Sequence, residues 1–264
     1  MDPLEALILG IVQGLTEWLP VSSSGHLVIA QEMLGMAADE NLMFDLVVHL
    51  GTIVAVCVYF RKELWRILAG MTTSKAKRGE QENALRKLGF LLLLGTVPAA
   101  IAGVLLTDYV ESIFDITLVG MALIANAVLL FVAERFGSKG VKKSASTLDA
   151  AVIGTFQAIS IMPGISRSGS TLSGGMLRGL ERETAAVFAF LLSVPILLAA
   201  FAYGVVTLDT FDLDLVASVI GAVAAFATGI VSIGYLLKAV RAGKLWIFSV
   251  YCMAVGAGVL VLTL

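Results

Sequence analysis

Six apolar runs, roughly Phe44 to Phe60, Leu88 to Leu106, Ile116 to Ala133, Thr184 to Gly204, Leu215 to Leu237 and Leu245 to Leu262, dominate the chain. A helix needs about 17 to 25 apolar residues to cross a hydrocarbon core, so each run reads as a transmembrane helix. Two further apolar regions, Leu4 to Leu34 and Leu148 to Leu177, are interrupted near their middles by Pro, Gly and Ser. Their halves are too short to span singly, and broken backbone at membrane depth is tolerated only where protein buries it or it lines a polar cavity. Each region therefore reads as a re-entrant pair of half-helices. The expected fold is an all-α polytopic membrane protein, a single integral domain over residues 1–264. Composition agrees, because only 14% of residues are charged against about a quarter in a soluble domain.

Lys and Arg collect in cytoplasmic loops, whereas acidic residues carry little orientation signal. None precedes Arg61; eight lie from Arg61 to Lys87, four from Arg135 to Lys143, then Arg178 and Arg182, then Lys238, Arg241 and Lys244. Alternating the six spans puts all these segments on one face, the cytoplasmic one, with Lys77 there and Asp39 and Asp212 outside. The first broken region then enters from outside and the second from the cytoplasm. A net charge of −2 with its signs sorted in this way argues against a nucleic-acid partner. No basic stretch precedes the first apolar region, so no removable signal peptide is expected. Cys57 and Cys252, far apart in apolar runs, read as packing residues.

Shifting the chain against itself by 144 residues aligns Gly10 with Gly154, Gln13 with Gln157, Ser22 with Ser166, Ser24 with Ser168 and Gly25 with Gly169. Both windows cover a broken region, and both precede three spans. An odd number of spans per copy forces opposite orientations. Residues 1–144 and 145–264 therefore read as two inverted-topology repeats whose tips meet near the midplane.

The first tip concentrates Gln13, Glu17, Ser22, Ser23, Ser24, Gly25 and His26 in an otherwise apolar segment. Gln13 and Glu17, four residues apart, share a helical face and can serve a cation together. An intramembrane carboxylate is expensive and usually belongs to a site. His26, beside the serines, suits a nucleophile or general acid and base, while His49 reads better as a histidine hydrogen-bonded to a carbonyl and stays a second candidate through its position near the first tip. The second tip, Pro163-Gly-Ile-Ser166-Arg167-Ser168-Gly169-Ser170-Thr171, holds the one basic residue outside the clusters. Glycines allow close backbone approach to an anion, hydroxyls add donors, a following helix turns its positive end to the same place, and Arg offers a bidentate fork. The set reads as a phosphate cradle.

At these two motifs the chain resembles the undecaprenyl-diphosphate phosphatases, the family linked to bacitracin resistance. Its first signature is met by Gln13, Glu17, Ser22, Ser23, Gly25 and His26, and its second by Pro163, Gly164, Ser166, Arg167, Ser168 and Thr171. The resemblance implies hydrolysis of the C55 isoprenoid diphosphate to its monophosphate, which recycles the lipid carrier for peptidoglycan and other envelope polymers. It also implies a divalent cation, Mg²⁺ or Ca²⁺, a homodimer, and a bacterial inner-membrane enzyme whose active site faces the outer side. On it, Glu17 and Gln13 serve the metal, with Glu17 also in acid-base chemistry. Ser23 and His26 compete as nucleophile, and Arg167 holds the diphosphate with Ser22, Gly25, Ser166, Ser168, Gly169 and Thr171 around it. Many members have Glu where this chain has Gln13, which leaves one fewer carboxylate for the metal.

Inverted repeats with broken helices also suit a carrier, so a polyprenyl-phosphate transporter or flippase is the rival reading. The cluster of Glu17, Ser23, His26 and Arg167 separates the two, being richer in reactive groups than anion binding needs.

Overall fold

A computed structural model describes residues 1–36, 42–74, 79–113, 115–137, 139–207 and 214–263. Among them the regular structure is helical throughout: α1 (Pro3–Trp18), α2 (Ser23–Met33), α3 (Leu42–Tyr59), α4 (Arg61–Thr72), α5 (Glu80–Ser112), α6 (Ile116–Gly137), α7 (Thr147–Ile159), α8 (Arg167–Leu177), α9 (Arg182–Thr207), α10 (Leu215–Arg241) and α11 (Leu245–Thr263). Six of these, α3, α5, α6, α9, α10 and α11, are long and apolar enough to cross a membrane. They coincide with the six apolar runs. Asp39, Lys77 and Asp212, used above to state the sidedness, lie outside the described residues.

Both broken regions turn back on themselves. Helix α7 starts on the Ser146 cap, and Asp149 in its first turn accepts from Arg178 Nε at 2.9 Å, just past the end of α8. The two ends of that hairpin therefore meet at one face. In the first hairpin, Asp2 caps α1 in a reciprocal pair with Glu5 and Pro3 fits the first turn. Pro20 follows the end of α1, and the chain returns through α2 until Gln31 donates to Asp45 at the start of α3.

Close packing of small residues sets the remaining geometry, as is common where no hydrophobic drive brings helices together. A Cβ on Gly10 of α1 would overlap the carbonyl oxygen of Gly221 in α10, and one on Gly154 of α7 would overlap that of Gly95 in α5. Each broken region thus lies directly against a span from the other half of the chain.

The basic segments gather at one end. Lys142 and Arg178 hold Asp149, Arg182 forms a bidentate pair with Glu134 at 2.7 and 2.8 Å, and Arg241 pairs with Glu183. The start of the chain is at the acidic end, with the Met1 amino group 4.0 Å from Asp214. One element departs from the sequence reading. Part of the basic connection from Arg61 is a helix, α4, whose polar composition gives no apolar run but whose Ile67 and Gly70 pack against α5.

Candidate active site

The two tips touch. Ser168 Oγ, and more weakly Ser166 Oγ, donate to the carbonyl of Leu19 at 2.9 and 3.5 Å. Asn126, fully buried on α6, knits the junction from one side chain. Its Nδ2 donates to the carbonyl of Pro20 at 2.9 Å, and its Oδ1 accepts from the Ser166 amide at 3.3 Å. A buried polar group without partners would cost about 1 to 3 kcal/mol, so this amide favours the tips being together.

Glu17, on the last turn of α1, is the centre. Its side chain is 3% exposed. Oε2 accepts from Gln13 Nε2 at 2.9 Å and from Ser23 Oγ at 2.5 Å, and His49 Nε2 stands 3.8 Å away. Oε1 faces Arg167 Nη1 at 3.3 Å. Ser23 and Arg167 are the first residues of α2 and α8, so two helix starts converge on one carboxylate. The positive end of each helix favours that charge, and the Arg167 pairing supplies the counterion that a buried carboxylate needs.

Beside Glu17 lies a cavity of about 10 Å³, walled by Glu17, Trp18, Arg167, Ser168, Thr171 and, from α9, Ala189, Phe190 and Ser193. That is about the room one water occupies. Gln13 Oε1 is buried and has no hydrogen-bond partner. It lies on the side chain whose Nε2 donates to Glu17, which bears on metal binding.

The other expected site residues fall into two groups. Ser22 and Ser166 cap α2 and α8 through the Gly25 and Gly169 amides at 3.4 and 3.1 Å, so those N–H groups are spent on the caps. Thr171 faces the cavity while its hydroxyl donates to the Arg167 carbonyl at 2.8 Å. His26 stands apart from the Glu17 set. Its Nδ1 bonds the Ser22 carbonyl at 2.7 Å, its Nε2 bonds Tyr251 Oη at 2.8 Å, and its ring stacks on that tyrosine.

Sequence reasoning missed Asn126 and Tyr251 and gave His49 too little weight. His49 does bond a carbonyl, that of Asp45 through Nδ1 at 2.7 Å, but its other nitrogen faces Glu17. Only the packing of α3 against α1 shows this. Among the described residues no group of three or more His, Cys, Asp or Glu side chains is placed to hold a metal ion.

Fold and site together define a multi-pass membrane protein in which two helical hairpins meet around one buried, arginine-paired carboxylate. The family described as bacitracin resistance protein BacA matches residues 6–258, and the chain belongs to it. Curated relatives extend over nearly its whole length. It is 39% identical to an undecaprenyl-diphosphatase of Korarchaeum cryptofilum, covering 98% of this chain and 99% of that one. It is 40% identical to an undecaprenyl-diphosphatase of Carboxydothermus hydrogenoformans, with 99% and 98% covered. A third, from Methanosphaera stadtmanae, is 36% identical, with 100% and 99% covered.

Proposed function

We propose that this chain is an undecaprenyl-diphosphatase, a membrane-embedded enzyme that hydrolyses a polyprenyl diphosphate lipid to the monophosphate and inorganic phosphate. The observation that carries the catalytic reading is the contact of Ser23 and Arg167 with opposite oxygens of Glu17. Ser23 attacks the terminal phosphorus while its proton passes to Glu17, already its hydrogen-bond acceptor. The P–O bond to the lipid monophosphate breaks, Glu17 passes its proton to that leaving oxygen, and Arg167 exchanges its contact with Glu17 for the phosphoryl oxygens on which charge accumulates. Water then attacks the phosphoserine, Glu17, again a carboxylate, taking its proton and returning it to Ser23 Oγ as the serine P–O bond breaks and phosphate leaves. His26, bonded through both nitrogens to Ser22 and Tyr251, orients the start of α2 in this scheme.

A divalent cation, Mg²⁺ or Ca²⁺, would be held by Glu17 with the unpartnered Gln13 Oε1; Mg²⁺ in particular is usually bound through one or two carboxylates, waters and substrate phosphates. When bound it would neutralise diphosphate oxygens. The same reading includes two inverted repeats, supported by the exchanged Gly10–Gly221 and Gly154–Gly95 contacts. On the resemblance alone it extends to a homodimer in the cytoplasmic membrane with the site facing outward. The transporter reading is not favoured, because the curated relatives are named as diphosphatases.

Phosphate release from an isoprenoid diphosphate by purified protein in detergent tests the activity. Mass-spectrometric mapping after rapid acid quench should find phosphate on Ser23, and Ser23→Ala should abolish both label and turnover. A label on His26, or full turnover by Ser23→Ala, overturns the assignment.

A further inference from the structure

At the basic end of the molecule the α5 and α9 helices present facing apolar stripes that do not close on each other. Leu85, Leu88 and Leu91 look across at Val187, Phe188 and Leu191, and the gap between them is a groove of about 700 Å³. A second groove of about 480 Å³ runs along the other flank of α5, beside Phe90 and Leu94, and the two share Lys87 and Leu91. From Gln81 to Leu91 the first groove follows α5 for ten residues, which is about 15 Å of helix. Nothing in the catalytic reading uses either groove.

The rim is charged. Lys87 and Lys143 line it together with Glu181 and Glu183. Glu183 is matched by Arg241, and Arg86 is committed to the Met71 carbonyl and the Phe90 ring. Among the described residues neither Lys87 nor Lys143 has a carboxylate partner. With Arg86 on the second groove, these cations outweigh the single unmatched carboxylate of Glu181 above an apolar floor. An anionic headgroup complements that excess. Two grooves joined along Lys87 suit two hydrocarbon chains, and a single-chain isoprenoid would leave one of them empty.

We propose that these paired grooves bind an anionic glycerophospholipid from the leaflet at the basic end, its phosphate between Lys87 and Lys143 and one acyl chain on each flank of α5. The site is distinct from the Glu17 cavity, and its occupant is not hydrolysed.

The test is lipid retention by the full-length protein in detergent, read by native mass spectrometry as phosphatidylglycerol is titrated against phosphatidylcholine of the same chains. Phosphatidylglycerol should be retained at least tenfold better, and Lys87→Gln with Lys143→Gln should remove that preference. Lys62→Gln with Arg66→Gln, a basic pair on α4 outside the grooves, should leave it intact. Val187→Trp, which fills the larger groove while keeping both lysines, should also weaken retention. Hydrolysis of isoprenoid diphosphate by each variant reports folding, and because the readout is binding, failure here leaves the catalytic assignment standing. Equal retention of the two lipids, or equal loss in the α4 pair, overturns the proposal. So does displacement of phosphatidylglycerol by stoichiometric C55 polyprenyl monophosphate, or a dimer that Val187→Trp dissociates while lipid retention is unchanged.

Discussion

The first tip and the second are built on one plan and carry different chemistry. Ser22 and Ser24 lie 3.3 Å apart through their hydroxyls, and Ser166 and Ser168, 144 residues later, 3.0 Å apart. In both, the first serine caps the amide of a glycine three residues on, and an 11-residue helix follows. The reactive residues sit beside this shared frame. Ser23 and Arg167 occupy the same place in it, yet one is the proposed nucleophile and the other a cation, and both reach the same carboxylate. The position matching Glu17 is Ile161, so only one hairpin has the acid. The backbone also bears its tension differently. Ser22 takes a left-handed φ of 71°, whereas in the second tip Gly164 takes the left-handed turn at φ 98° and Ser166 stays relaxed. Duplicated geometry thus supplies two helix starts, and substitution at single positions divides the labour between them.

Removing the acid tests that division most severely. Glu17→Gln keeps the shape of the first tip but supplies neither a base nor a counterion, and turnover should fall about 1,000-fold, roughly 4 kcal/mol of barrier. Near-normal phosphate release in detergent would break the asymmetry between the tips. Arg167→Lys retains the charge and loses the planar fork, for an expected loss of about 100-fold, roughly 3 kcal/mol. If Arg167 serves only to balance Glu17, the lysine variant stays active, and Glu17→Ala with Arg167→Ala recovers thermal stability lost by each single change.

Asn126→Ala should loosen both tips at once, because it strips a partner from Pro20 and another from Ser166. We expect about 2 kcal/mol of destabilisation, and a denaturation midpoint no lower than that of Ser166→Ala would show that the tips are held independently. Ser22→Ala and Ser166→Ala each remove a cap and should each cost about 1 kcal/mol. A large difference between their melting temperatures would mean that the shared frame is not energetically equivalent in its two copies. Smallest of all, His26→Gln should slow turnover by less than about tenfold, under ~1.4 kcal/mol, whereas loss of all activity would return His26 to the nucleophile's role.

Hydropathy made the spans legible because length and apolar content are nearly sufficient to define a membrane helix. It could not reveal α4, which is amphipathic and reads as a basic loop. Glu17, Ser23 and Arg167 stood out because charge and hydroxyls are rare in such surroundings. Asn126 did not, being a lone amide in an apolar run whose partners are 106 and 40 residues away. His49 was legible as a carbonyl-bonded histidine near the first tip, but its contact with Glu17 depends on how α3 lies against α1. In the second tip, read as a phosphate cradle, the Gly169 amide is taken by the Ser166 cap, as the Gly25 amide is by Ser22 in the first. Sequence shows that an amide can approach something closely, and the fold decides what.

The cavity beside Glu17 has room for about one water, far less than a diphosphate needs. Admission of substrate therefore requires the α8 and α9 walls, Thr171 and Phe190 among them, to part from Trp18. Work done on the protein must come from somewhere in the substrate, and a diphosphate group alone, well hydrated in water, is a poor source. The hydrocarbon tail is the better one, since its contacts with the helices can be made while the headgroup is still arriving. Bare inorganic diphosphate should consequently be a weak competitor, and selectivity for lipid-linked diphosphates would arise from the cost of opening.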